Sequence, residues 1–161
     1  TYTCSTEGFV ERAAIMKGVD RANMYMMYAP AAAAEEISRL KKLVTGPQYP
    51  DMEMNGFTVF KLLEEGDPDI TYLYNDLLDN LTKMIVTLAH VCDPDRFVIG
   101  GGISKEPRLI ADLQQRVAKV KEQYIIAVPG FDVQPCYYRS SANLYGAMYN
   151  WLQKYHPDIA F

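Results

Sequence analysis

"DPDRFVIGGGIS", Asp93 to Ser104, is the stretch on which the reading of this chain turns. Asp93-Pro94 closes the segment before it, and Phe97-Val98-Ile99 is a brief apolar run with strand character. Three consecutive glycines follow. From Pro107 to Lys121 the pattern then predicts a helix. Glycine costs backbone entropy, so three together imply that side chains are unwelcome there. A strand end followed by a side-chain-free turn leaves backbone N–H groups available to a ligand. The spacing matches neither GxxxxGK[ST] nor GxGxxG, which excludes a P-loop and a dinucleotide fingerprint. Taken alone, the turn leaves two readings open: close packing of a neighbouring helix, or close approach of a nucleotide.

Working outward, the second half reads as strand, glycine turn, helix, strands, helix. Tyr124 to Val128 and Asp132 to Tyr138 are the further expected strands, with Pro129-Gly130 between them, and Pro135 puts the second at an edge or a bulge. Ser140 or Ser141 caps a last helix reaching Tyr155. Upstream, residues 5–18 predict a helix capped by Ser5 or Thr6 and ended at Gly18, and Ala31 to Val44 predicts another with Pro30 at its first position. Met24 to Tyr28 form an apolar cluster suited to core packing. "GPQYPDMEMNG" (46–56) is the clearest loop. A short helix from Phe57 to Glu65 is stopped by Gly66. A long one from Pro68 to about Val91 repeats Ile70, Leu73, Leu77, Leu78, Leu81, Met84, Ile85, Leu88 and Cys92 on one broad face.

Composition narrows the function. The chain has 161 residues, 49% hydrophobic, enough for a substantial core. Its net charge of -4 and the lack of a basic cluster argue against direct nucleic-acid contact. Apolar runs are short and interrupted by charge, so no membrane span is expected. Cys4, Cys92 and Cys136 are widely spaced and odd in number, which fits reduced thiols in a cytoplasmic protein. Starting at Thr1 rather than Met, the chain reads as a mature or excised piece. Asn80-Leu81-Thr82 is a formal glycosylation sequon inside a helical pattern and reads as chance.

About forty residues beyond the glycines lies "RSSANLYGAMYNWL" (139–152). With both segments in this order and spacing, the chain resembles the ROK family of sugar kinases and sugar-responsive repressors. Members read like "dPe.iviGGgis", then a helix, then a strand leading to "aglxGAa". Ala142, Leu144, Gly146 and Ala147 match the second signature. The resemblance implies an α/β fold, part of an actin-like ATPase (ribonuclease H-like) architecture, helix-rich with a small sheet. It implies that Gly100, Gly101, Gly102, Ser141, Ala142 and Gly146 line the adenosine side of a nucleotide cleft. For Gly146 close helix packing is the alternative.

Family members also carry C-x-C-G-x-x-G-C-x-E, whose cysteines hold zinc with an upstream histidine. Aligned on Gly8 and Glu11, this chain keeps only Cys4, with Tyr2 and Phe9 in the other cysteine positions, so no zinc is expected. By the same resemblance Glu11 contacts sugar hydroxyls, work suited to a carboxylate. The alternative is a solvated residue on a helix face. The likeness covers residues 1–11 loosely and 57–152 well, with 19–56 unmatched.

What the family needs for phosphoryl transfer cannot be placed: neither the D-x-G-G-T-K turn, nor the E-x-G-H segment, nor the aspartate base of an N-D pair. Asn75-Asp76 lies mid-helix and reads as surface. Residues 1–161 are thus expected to be the C-terminal portion of a ROK-type protein without its N-terminal lobe. The first functional reading is a nucleotide- and sugar-binding portion of an ATP-dependent hexose-type kinase, inactive alone, with Mg²⁺ arriving on ATP. The second is the sugar-sensing domain of a repressor. The third is an independent α/β ligand-binding domain. Apolar surface left by the missing lobe would favour that lobe or a second copy as partner.

Overall fold

Ser5 sets the first helix in place. The computed structural model describes residues 4–19, 30–123 and 128–156. In it the Ser5 side chain accepts a hydrogen bond from the Gly8 N–H and caps α1 (Thr6–Lys17), which Gly18 closes. Next come α2 (Pro30–Leu43), α3 (Gly56–Glu64) and α4 (Pro68–Cys92). Asn55 caps α3 through the Thr58 N–H. Asp67 Oδ1 accepts from the N–H groups of Asp69 and Ile70, meeting two of the open donors at the start of α4. The expected cluster Met24 to Tyr28 lies outside the described residues. So does the expected strand from Tyr124, of which only Val128 is described, and it is in no strand.

The chain divides into two compact units, Thr1–Leu81 and Thr82–Phe161. In the first, α1 packs on α2 and α3. Phe9, Ala13, Leu40, Val59, Leu62, Leu73 and Leu77 are buried in its core. The rings of Phe9, Phe60 and Tyr74 meet one another with centroids 5.9–6.4 Å apart, a spacing at which edge-to-face contact is favourable.

α1 buries charge as well as carbon. Lys17 is fully enclosed, and its ammonium lies 2.7 Å from Asp67 Oδ1 and 2.8 Å from Asp69 Oδ2. It also donates to the Pro47 carbonyl at 3.1 Å. Asp69 Oδ1 takes the N–H and hydroxyl of Thr45 and the N–H of Gly46. Burial alone would raise the Asp69 carboxyl. The bonds from Lys17, Thr45 and Gly46 outweigh it and hold the carboxyl below the usual range. Gly46 is glycine for a spatial reason: a Cβ there would sit 3.0 Å from Lys17 Nζ and 3.1 Å from Asp69 Oδ2. Loop 46–56 is therefore tied at its start to the end of α1 and the start of α4.

Arg12 is the second buried cation of α1. Its Nε donates to Glu36 at 3.0 Å, and its Nη2 lies 2.7 Å from Asp76 Oδ2, close but poorly aligned for a hydrogen bond. Asp76 is thus a half-buried ion-pair partner, not the surface residue expected from its place in a long polar-faced helix. The Glu36 carboxyl is lowered chiefly by its hydrogen bond to Arg39.

In the second unit, β1 (Arg96–Ile99) and β2 (Asp132–Pro135) pair in parallel, Arg96 opposite Asp132 and Ile99 opposite Pro135. Parallel strands need a crossover, which α5 (Pro107–Gln123) supplies. Leu109, Leu113, Val117 and Val133 are buried there, and Phe97 meets Phe131 edge-on at 5.0 Å. Gln114 Nε2 donates to the Val133 carbonyl at 2.7 Å and Lys121 Nζ to the Phe131 carbonyl at 2.8 Å, fastening α5 along β2. β2 is shorter than expected. Pro135 is its last residue, and the ladder ends with the Cys136 N–H on the Ile99 carbonyl at 2.8 Å. α6 (Ala142–Tyr155) completes the unit.

The broad face expected for α4 is also corrected. Ile70, Leu73, Leu77, Leu78, Leu81 and Ile85 are buried, but Met84, Leu88 and Cys92 are exposed and Ala89 is buried instead. The buried line follows Ile85 to Ala89, one step of four, and leaves the other apolar side chains of the last turns on an open side.

Replacing Lys17 by Met leaves two enclosed carboxylates without their cation, and the expected loss is about 3–5 kcal/mol at pH 7. The Asp69 carboxyl is lowered in the fold, so its contribution is present above the ordinary aspartate value and fades as pH falls through the depressed one. Urea unfolding of both proteins should therefore show a wide gap at neutral pH that narrows in acid. An equal gap at both ends would mean that Lys17 acts by packing, not by charge.

Candidate functional site

Because β1 and β2 run parallel, their C-terminal ends share one edge of the sheet. Gly100 to Gly102 leave β1 at that edge, and Cys136 to Ser141 leave β2 there. Ligands of open α/β layers gather outside strand C-termini. Gly101 has φ 79° and ψ -172°, a region essentially closed to any residue with a side chain. A single 3₁₀ turn, Gly102–Lys105, follows. Ser104, buried, locks it by donating its hydroxyl to the Gly101 carbonyl at 2.7 Å.

The expectation of free amides holds only in part. The Gly101 N–H is used, donating to the Arg139 carbonyl at 3.3 Å. That bond ties the glycine turn to the 3₁₀ turn Arg139–Ser141 and so to the start of α6. Arg139 itself has φ 48°. The two motifs that are forty residues apart in sequence are therefore joined in space. Ser141 stands where a cap is expected but makes no side-chain capping bond. Its φ of -92° and ψ of 0° continue the preceding turn, whereas a capping residue is itself typically extended, as Ser5 and Asn55 are.

Among the described residues, no neighbouring helix occupies the space over the glycines. A Cβ on Gly101, Gly102 or Gly146 would meet no atom within 4 Å, and one on Gly100 would touch only Cys136 Cβ at 3.8 Å. Among the described residues, no helix packs closely on Gly146. Ala142 and Gly146 line a shallow cleft of ≈ 340 Å³ with Tyr138, Tyr145, Met148 and Tyr149. Tyr138 and Tyr145 stack at 4.2 Å, and Tyr137 stands edge-on to Tyr138 at 5.1 Å. Gly100 to Gly102 and Ser141 do not line that cleft, although the turns carrying them are joined.

Glu11 lies in the other unit, on α1, and is only 2% exposed. The solvated alternative is thereby excluded. Cys4 is a half-buried free thiol, and no three His, Cys, Asp or Glu side chains among the described residues gather as metal ligands. No helix among those residues is long and apolar enough to cross a membrane. Sequence reasoning did not single out Arg139, Ser104 or the tyrosines. One signal was present: Arg139 is the only Asp, Glu, Lys, Arg or His between Asp132 and Lys154.

A parallel pair, a glycine-only bend at its C-terminal edge and an open aromatic cleft beside it define an α/β layer with a candidate site at the strand ends, where ligands of such layers gather. The chain belongs to the ROK family, whose sequence model matches residues 13–154. That span takes in the loop and helix of 19–56 and leaves Glu11 and Cys4 just outside. A β-glucoside kinase of Listeria innocua is 27% identical over 105 residues, 65% of this chain and 34% of that enzyme. A ROK family protein of Streptococcus pneumoniae, solved in complex with sucrose, superposes with a TM-score of 0.58 at 26% identity over 63% of this chain and 35% of that one. A ROK family glucokinase of Streptomyces griseus, solved with glucose and AMPPNP, does so at 0.59 and 21% identity over 90% and 41%. The fold is the actin-like ATPase fold of these proteins, carried in part. The chain spans about a third of the length of the β-glucoside kinase it matches.

Since nothing among the described residues packs on Gly146, Gly146→Ala should raise helix stability by about 0.5–1 kcal/mol through the lower entropy cost of alanine. Thermal unfolding of the two proteins measures this. A loss of stability would return packing as the reason for the glycine.

Proposed function

We propose that this chain is the nucleotide-binding portion of an ATP-dependent sugar kinase. The observation that supports the reading is the open space over Gly101, Gly102 and Gly146, where a Cβ would meet no atom of the described chain within 4 Å. The ribose and base of a nucleotide fit that space, with the base against the aromatic cleft and the ribose beside the glycine turn. The names of two relatives support it, a β-glucoside kinase and a glucokinase solved with glucose and an ATP analogue.

The reaction would move the γ-phosphoryl of ATP to a sugar hydroxyl, which requires positioning, a base and charge neutralisation at the phosphates. Gly100, Gly101, Gly102, Ser141, Ala142 and Gly146 would form the adenosine shelf, with Mg²⁺ entering on the nucleotide. Glu11 would receive sugar hydroxyls, its buried carboxylate serving as acceptor. The base and the phosphate-binding turn would come from the N-terminal lobe. The uncovered apolar side chains of α6 fit such a lobe: Leu144 is 73% exposed and Trp151 52%, with Met148 and Tyr155 on the same stripe.

Sugar-dependent ADP release should appear in the full-length protein and be absent from the isolated 161-residue chain. In the full-length protein, Glu11→Gln should raise KM for the sugar and leave KM for ATP unchanged. A full-length protein that binds sugar but neither binds nor hydrolyses ATP would sink the kinase reading, and turnover by the isolated chain would sink its division of labour.

A further inference from the structure

We infer that Arg139 is the residue through which this site selects a phosphorylated nucleotide over a nucleoside. The inference rests on the nucleotide reading above. The protein is acidic overall, yet the site's own segments are almost uncharged. Residues 97–104 carry no ionisable acid or base, and residues 133–153 carry one, Arg139, apart from weakly acidic tyrosines and a cysteine. Within these two segments the lone cation has no carboxylate to compete with an incoming anion.

The position of Arg139 is also fixed. Its φ of 48° is uncommon for a residue with a side chain. Two backbone bonds hold it there, its own N–H to the Cys136 carbonyl at 3.1 Å and its carbonyl from the Gly101 N–H at 3.3 Å. The chain thus places an arginine in a strained conformation on the residue that grips the glycine turn. A glycine or asparagine would fill a left-handed position at less cost. The side chain is exposed, and no ion pair or hydrogen bond engages the guanidinium among the described residues, in contrast to Arg12, Arg39, Arg96 and Arg108. Guanidinium presents a planar fork of donors suited to phosphate oxygens. The occupant is therefore the phosphate chain of the nucleotide whose ribose lies beside the turn.

Titration calorimetry of the full-length protein with ATP, ADP and adenosine separates the outcomes. Arg139→Asn removes the charge and tolerates the left-handed backbone, and Arg139→Gly serves the same purpose should the first not fold. Either variant should weaken ATP and ADP by about tenfold, the weight of one charge-assisted hydrogen bond, and leave adenosine unchanged. Arg139→Lys should recover most of the loss. Equal weakening of adenosine and ATP would show that Arg139 only shapes the turn, and unchanged binding of all three would show that it touches nothing; each overturns the inference while the nucleotide reading stands. Failure of the unmodified protein to bind ATP, ADP or adenosine would overturn both.

Discussion

Four residues of parallel pairing govern the half of this chain that carries the candidate site. β1 and β2 have to point the same way because α5 carries the chain back before β2 begins, and their C-terminal ends consequently open at one edge. The glycine turn and the turn that opens α6 are both attached to that edge. The Gly101 N–H on the Arg139 carbonyl then closes the distance between two segments forty residues apart. Break the pairing and the glycine turn has no fixed relation to α6.

The first unit is organised by a different constraint, the enclosure of charge. Lys17, Asp67 and Asp69 are buried together, and each is held by more than one partner. Such a group adds less net stability than an apolar core of the same size, since removing ions from water costs free energy. What it adds is definition: the end of α1, the start of loop 46–56 and the start of α4 meet at one ammonium. Arg12 does similar work between α1, α2 and α4 through Glu36 and Asp76.

Elements with a local cause were legible in the sequence. Ser5, Gly18, Gly66 and Pro68 mark helix ends through their own backbone preferences, and the observed ends fall close to them. The strand at Phe97-Val98-Ile99 and the turn after it followed from composition alone. What depends on distant partners was not legible. Asp76 reads as surface from its helical position and is half-buried because Arg12 lies against it. Glu11 is flanked by the apolar residues Phe9, Val10, Ala13, Ala14 and Ile15, but a carboxylate among them reads equally as the polar side of the helix. Met84 and Leu88 fit a buried face by spacing, but burial followed Ile85 and Ala89. Ser141 failed as a cap because the residues before it continue a turn. In the candidate site, the signatures around Gly100 and Gly146 mark two turns that the structure joins through the Gly101 N–H and the Arg139 carbonyl. That nothing of the described chain fills the space above them could come only from the structure.

Amide hydrogen exchange of the full-length protein with and without ATP tests the nucleotide shelf most directly. Slowed exchange confined to 100–104 and 138–149, with the Gly46 to Tyr49 segment unchanged, is the expected result. Unaltered exchange in both site segments at saturating ATP would contradict a nucleotide lying over the glycine turn.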